Sequence, residues 1–236
     1  MTLWLGIETA TAVGSAAVGS RGTVLAELSF AGRRHAIALT PSILELFKLA
    51  GRDVADLGGL VVANGPGSFT GLRIGLATAK GIFQAHPHVE FRTVPSMLAT
   101  AWRHRGVDDG PVGVWYDALR GEVFAAVYDL RTSPIGIVLP PTLTSPGALV
   151  ASGSGPTVVV GDGVAAFPDE ALQWTGRQPI GPPESGPSAG ALLELLAIEC
   201  ASTKVTDVAA FEPTYGRDAE AQVRWEAKHG RPLPRS

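Results

Sequence analysis

Residues 65–81 read GPGSFTGLRIGLATAKG. The block follows the apolar run Leu60-Val61-Val62-Ala63, so a buried strand hands over to a glycine-proline-glycine turn and then to a helix. At about 100° per residue the helix has three faces. Leu72, Leu76, Ala79 and Phe83 form an apolar stripe aimed at the chain's own core. Arg73, Lys80 and Gln84 form a polar edge, and Gly71, Gly75, Thr78 and Ile82 form a third, mostly small face. A glycine inside a helix costs about 1 kcal/mol against alanine. Two of them four residues apart imply that another backbone, of this chain or of a partner, comes close.

Upstream, Ala36, Leu39, Ile43, Phe47 and Ala50 keep one apolar stripe from His35 to about Gly51. Either that helix starts at Pro41 with Thr40 as its cap, or one longer helix runs through Pro41 with a kink. The unbroken stripe favours the longer helix. Before it, Leu3–Ile7, Gly14–Val18 and Thr23–Phe30 read as a three-strand meander whose first strand runs into Glu8 and the small turn Thr9-Ala10-Thr11-Ala12. Downstream, Val89–Val94 reads as a strand, and Ser96 caps a helix to about His104. Thr70 reads as the cap of the 70–84 helix.

Near Gly106 the pattern restarts. Val112–Tyr116 is a strand ending in Asp117, followed by the turn Ala118-Leu119-Arg120-Gly121 and the strands Glu122–Tyr128 and Ile135–Leu139. A strand, Thr157–Val160, the turn Gly161-Asp162-Gly163 and a helix from Ser188 to about Ser202 complete it. The organisation expected is a first subdomain over 1–105, a second over 106–217 whose last helices pack back on the first, and a polar tail over 218–236.

The 236 residues are 45% hydrophobic and 17% charged with a net charge of −3, which supplies a core and no basic footprint for independent nucleic-acid binding. One cysteine, Cys200, excludes an intrachain disulfide, and its apolar neighbourhood reads as a buried, unreactive thiol in a reducing compartment. The start Met1–Ile7 lacks a signal-peptide pattern, and no apolar run approaches the roughly 20 residues of a membrane span. A cytoplasmic protein is expected. His35, His86, His88, His104 and His229 show no metal-ligand spacing, so no metal site is expected. Glu8 and Asp117 end corresponding strands, where ligands gather in α/β folds. With Thr9, Thr11, Gly161 and Asp162 they are the candidate nucleotide or phosphate contacts. Gly65–Ser68 is not a Walker-type loop, since no Gly-Lys-Ser/Thr follows it.

Leu5-Gly6-Ile7-Glu8-Thr9, the 65–81 block and Val94-Pro95-Ser96 together resemble the TsaB (YeaZ) family. Asp117 with Arg120-Gly121-Glu122-Val123, Gly161-Asp162-Gly163, and Glu212-Pro213 with Tyr215 and Arg217 are similar to its later motifs, so the resemblance covers roughly residues 3–217. It implies an α/β, actin-like fold (ASKHA, ribonuclease-H-like) with two similar βββαβα-type subdomains. It implies a non-catalytic partner of the larger TsaD transferase, with the ATPase TsaE, in making N6-threonylcarbamoyladenosine beside the anticodon of tRNAs that read ANN codons. No cofactor of its own is implied, ATP enters within the complex, and tRNA is met through the complex. The transferase binds metal through a His-x-x-x-His helix, where this chain has only His35. Members more often carry aspartate at position 8, and the position after His35-Ala36, often acidic, is Ile37.

Resemblance and glycine face meet in one expectation. The helices at 35–50 and 70–84 dock on the partner through His35, Leu39, Ile43, Gly71, Arg73, Ile74, Gly75, Thr78 and Ile82, and self-pair as a homodimer when it is absent. Gly75→Leu is then expected to abolish docking with the fold retained. The competing readings are a small-molecule kinase of the same fold with Glu8 or Asp117 as base, a glycoprotease-like metallopeptidase, and a tRNA-binding module using Arg217, Arg224, Arg231 and Arg235.

Overall fold

The computed structural model describes residues 2–31, 35–153 and 155–216, and the side chains of Ala31 and His35 are outside it. The tail arginines, Arg217 and His229 therefore lie outside the described residues. Strands β1 (Leu3–Glu8), β2 (Val13–Ser20) and β3 (Thr23–Ala31) form an antiparallel meander. Helix α1 (His35–Leu49) leads through a short 3₁₀ turn to β4 (Leu57–Ala63), then α2 (Phe69–Ala85), β5 (Glu90–Val94) and α3 (Ser96–Arg103). The second half has β6 (Val112–Asp117), β7 (Val123–Asp129), β8 (Gly136–Thr144), α4 (Pro146–Ala151), β9 (Val158–Val160), α5 (Gly163–Ala166), α6 (Pro168–Thr175), α7 (Ala189–Leu195) and β10 (Thr203–Lys204).

The first sheet is ordered β10-β5-β4-β1-β2-β3, with β4 parallel to both β1 and β5. The second is ordered β8-β7-β6-β9, and Ile180 adds a single parallel bridge to Val160 beyond β9. The second sheet thus repeats the β3-β2-β1-β4-β5 order with its fifth strand reduced to one bridge. This is the α/β actin-like arrangement, and the restart seen near Gly106 is a topological repeat.

Period-two alternation decides which core each strand residue enters. On β1, Leu3, Leu5 and Ile7 join Leu39, Ile43, Leu46 and Phe47 of α1 and Leu76 and Ala79 of α2. Trp4, on the other face, enters the core shared by α3, α7 and the second sheet. On β6, Val112, Val114 and Tyr116 face that shared core. Trp115 points away, into a third cluster with Trp174, whose ring stacks on it at 5.3 Å. Helices α1 and α2 therefore cover the outer face of the first sheet, and α3 and α7 lie between the two sheets.

As the unbroken stripe favoured, a single helix runs through Pro41. Several other local expectations are corrected. Ser68, not Thr70, caps α2, because its hydroxyl accepts from the Gly71 amide at 3.2 Å. Ser96 is the first residue of α3 rather than its cap, and its hydroxyl accepts from the Gly65 amide instead. The third strand of the second half runs on to Thr144 through Pro140 and Pro141; it is an edge strand, where a missing N–H costs no ladder bond. α7 ends at Leu195, and Cys200 lies beyond it, exposed, with φ 59°, so it is not a buried thiol. Among the described residues no helix is long and apolar enough to cross a membrane.

Candidate functional site

The glycines of α2 have an internal explanation. A β-carbon at Gly71 would overlap the Thr9 carbonyl oxygen, and one at Gly75 would overlap the Thr9 hydroxyl. The backbone that comes close is the chain's own turn after β1, so Gly71 and Gly75 are buried and do not present a surface. Gly75→Leu has no room without displacing that turn, which corrects the expectation of a folded, docking-deficient variant. Leu39 and Ile43 are likewise turned inward, 1% and 5% exposed.

The open face lies farther round the helix. At Gly81 a β-carbon would meet nothing within 4 Å. Gly81, Ala77, Thr78 and Ile82 line one wall of a groove of 390 Å³ whose other wall is Leu44 and Phe47 of α1, with Ile43 in its lining. Leu44 and Ile37, seven residues apart on α1, are 53% and 73% exposed. Ile74 and Thr78 are half-buried. Exposed apolar side chains beside a groove are what a contact surface offers. His35 opens α1, and its side chain lies outside the described residues.

The polar edge of α2 is engaged by the chain's own end. Lys80 Nζ donates to the carbonyls of Ala209 and Phe211, both at 2.8 Å. Arg73 donates from Nε to the Tyr215 hydroxyl at 3.1 Å, and its guanidinium lies 4.1 Å from the Phe69 ring centre. The Tyr215 ring packs against Phe69, tilted by 40° with centres 4.4 Å apart, and its hydroxyl donates to Glu212. The segment 205–216 is thus a strap along α2, and Arg73 serves the strap. Its end crosses to the other half: Thr214 N–H donates to the Asn64 carbonyl, and Gly216 packs on Phe124 and Pro66.

The strand-end acids are brought to the same junction but into unlike environments. Glu8 is fully buried. Its Oε1 accepts from the Ala10 amide at 2.7 Å, and its Oε2 has no hydrogen-bond partner. Burial pushes its carboxyl up to about 7, against the pull of the Ala10 amide. Thr9 and Thr11 are buried too, and the Gly65–Ser68 loop closes over the turn, Ser68 N–H donating to the Ala10 carbonyl at 2.6 Å. Across the junction, Tyr116 donates to the Ser96 carbonyl at 3.0 Å and pairs with the Thr100 hydroxyl at 2.5 Å.

Asp117, one residue on, is exposed, and its Oδ1 accepts from the Leu119 amide at 2.7 Å. Asp162 accepts from the Asp117 amide at 3.1 Å, and burial pushes it up to about 6. Gly161 and Gly163 are glycine because the turn presses on the backbone of Trp115 and Tyr116, not because it leaves space for a ligand. Among the described residues, no three His, Cys, Asp or Glu side chains converge to hold a metal.

The family model for TsaD, tRNA N6-adenosine threonylcarbamoyltransferase, matches residues 27–171. The tRNA threonylcarbamoyladenosine biosynthesis protein TsaB of Escherichia coli K12 is 32% identical over 173 residues, which cover 70% of this chain and 73% of the relative. The chain belongs to the TsaB family. TsaB of Haemophilus influenzae Rd is 26% identical over an alignment covering 96% of this chain and 97% of that one. A Pseudomonas aeruginosa structure, described as an uncharacterized protein with similarity to peptidase YeaZ, superposes with a TM-score of 0.73 at 22% identity, over 92% of this chain and all of the other. That likeness shows the fold.

Within this TsaB-family chain, sequence reasoning missed Ile37, Leu44 and Gly81 on the open face, and Ser96 and Tyr116 at the junction. The spacing of Ile37 and Leu44 was a usable signal: seven residues apart, they lie off the buried Leu39–Ile43–Phe47 stripe. Ser96 was marked only as a helix cap and a family motif residue, and nothing local marked Tyr116; their roles arise only where the two sheets meet.

Proposed function

We propose that this chain acts in N6-threonylcarbamoyladenosine formation as the non-catalytic docking partner of a TsaD-type transferase, in the cytoplasm. The observation that carries the reading is the open apolar face between α1 and α2: exposed Ile37 and Leu44, a groove of 390 Å³, and Gly81 with nothing against it. Glycine there lets a partner helix approach nearer than the usual spacing of about 8–10 Å. A second copy of the chain fits the same face, giving a homodimer when the transferase is absent. In this reading a TsaE-type ATPase joins the pair, ATP is bound within the complex, and the tRNA that reads ANN codons is met through it. The kinase alternative has less support, because Glu8 is sealed beneath the Gly65–Ser68 loop.

Gly81→Leu tests the reading. Its side chain fills the groove wall without touching the core, so circular dichroism stays unchanged while co-purification with the transferase and tRNA modification by the mixture are lost. Undiminished co-purification would exclude the α1/α2 face as the docking surface.

A further inference from the structure

The turn after β1 has the makings of an anion cradle. Parallel strands β1, β4 and β5 end beside it, which is where α/β sheets place ligands. Its residues, Thr9-Ala10-Thr11, are small, and successive main-chain amides in such a turn form a concavity that accepts negative charge. Yet the cradle is already taken. The Glu8 side chain folds back over its own turn, Oε1 lies 2.7 Å from the Ala10 amide, and the whole residue is cut off from solvent. One carboxylate oxygen is satisfied in this way and the other is left unpartnered. That is the cost of holding an acid in a sealed place.

We propose that the Glu8 carboxyl group is the built-in occupant of this cradle, filling the amide positions a phosphate would otherwise take and keeping the junction between the two halves closed to nucleotide. Around it, the lid is completed by Ser68 on Ala10, by Ser96 on Gly65, and by the strap end at Thr214 and Gly216. Across the junction the Asp162 carboxylate, whose charge is felt at Tyr116 together with that of Glu8, adds to the exclusion of an unneutralised anion. The inference concerns the cleft and stands independently of the docking face on α1 and α2.

The test is calorimetric titration of the full chain with inorganic phosphate and with ADP plus magnesium, against chloride at equal ionic strength. Wild type is expected to show no saturable heat. Glu8→Gly, which empties the cradle, is expected to gain saturable phosphate binding that chloride does not reproduce. Glu8→Gln keeps an acceptor on the Ala10 amide and is expected to stay closed. Equal binding by wild type and Glu8→Gly overturns the proposal, as does a folded Glu8→Gly that binds neither ligand. Should Glu8→Gly not fold, the wild-type Ala10 amide decides the matter by NMR. Its proton shift is expected to follow the titration of a single carboxyl group, and an amide indifferent to pH means that Glu8 does not occupy the cradle.

Discussion

Alanine substitution at two glycines of the same helix should shift stability in opposite directions. In a helix interior, alanine is favoured over glycine by about 1 kcal/mol. At Gly81 nothing lies within 4 Å of the new methyl group, so Gly81→Ala collects that preference and stabilises the chain by up to about 1 kcal/mol. Gly71 differs. Its methyl group would overlap the Thr9 carbonyl oxygen and approach the Ser68 β-carbon at 3.3 Å. The carbonyl is main chain, in a turn held by Ser68 of the Gly65 loop and by the Glu8 side chain, so it cannot swing aside as a side chain does. Overpacking of this kind costs about 1–3 kcal/mol. Gly71 also lies in the first turn of α2, where the helical preference is weaker, so the net result is a loss of about 2 kcal/mol. Gly75→Ala should fall between the two: its methyl group meets the Thr9 hydroxyl, which can rotate, with Ile7 Cγ2 at 3.4 Å behind it. Urea unfolding followed by tryptophan fluorescence and circular dichroism gives all three values. A Gly71→Ala protein as stable as wild type would falsify the packing of α2 on the Thr9 turn, and with it the argument that moves the docking face to Gly81.

Two further outcomes follow from the same geometry. Glu8 is raised from 4.5 to about 7 in the folded chain, so the folded state holds its proton more tightly than the unfolded one; stability is full below pH 4.5, falls as pH rises through about 7, and by pH 8 has lost about 3 kcal/mol. Unfolding free energies measured from pH 4 to 8 should show that decline in wild type and a much flatter profile in Glu8→Gln; identical profiles would contradict the burial of an ionisable Glu8. Lys80→Ala removes two charge-assisted bonds at 2.8 Å from the strap, which should cost about 1–2 kcal/mol and speed hydrogen exchange over residues 205–216 while leaving exchange in β1 and β4 unchanged.

How far the sequence could be read is clearest on α2. Its existence, its core stripe of Leu72, Leu76 and Ala79, and its entry through a glycine-rich turn were all legible, because a 3.6-residue period and a turn residue are local properties. The small face was legible as a demand for close approach, but a glycine does not say whose backbone approaches. Only the placement of Thr9, sixty-two residues before Gly71 in the chain, answers that. The polar edge shows the same limit: Arg73 and Lys80 have the pattern of a solvated edge, and what covers them is a strap without periodicity from the far end of the chain.

Helices α4, α5 and α6, of four to eight residues, are too short to display a full amphipathic period. The starts of α4 and α6 were nonetheless marked by Ser145-Pro146 and by Pro168, a cap and first-turn prolines that a search for periodicity passes over. At the strand ends, the pairing of Glu8 with Asp117 followed sequence position, whereas side-chain parity governs the structure. The residue of β6 that shares the inner core is Tyr116, which leaves Asp117 outside and exposed. One step along a strand therefore separates an acid sealed between two sheets from an acid in water, and that step turns a symmetric pair of candidate ligands into one plugged cradle and one turn-capping carboxylate.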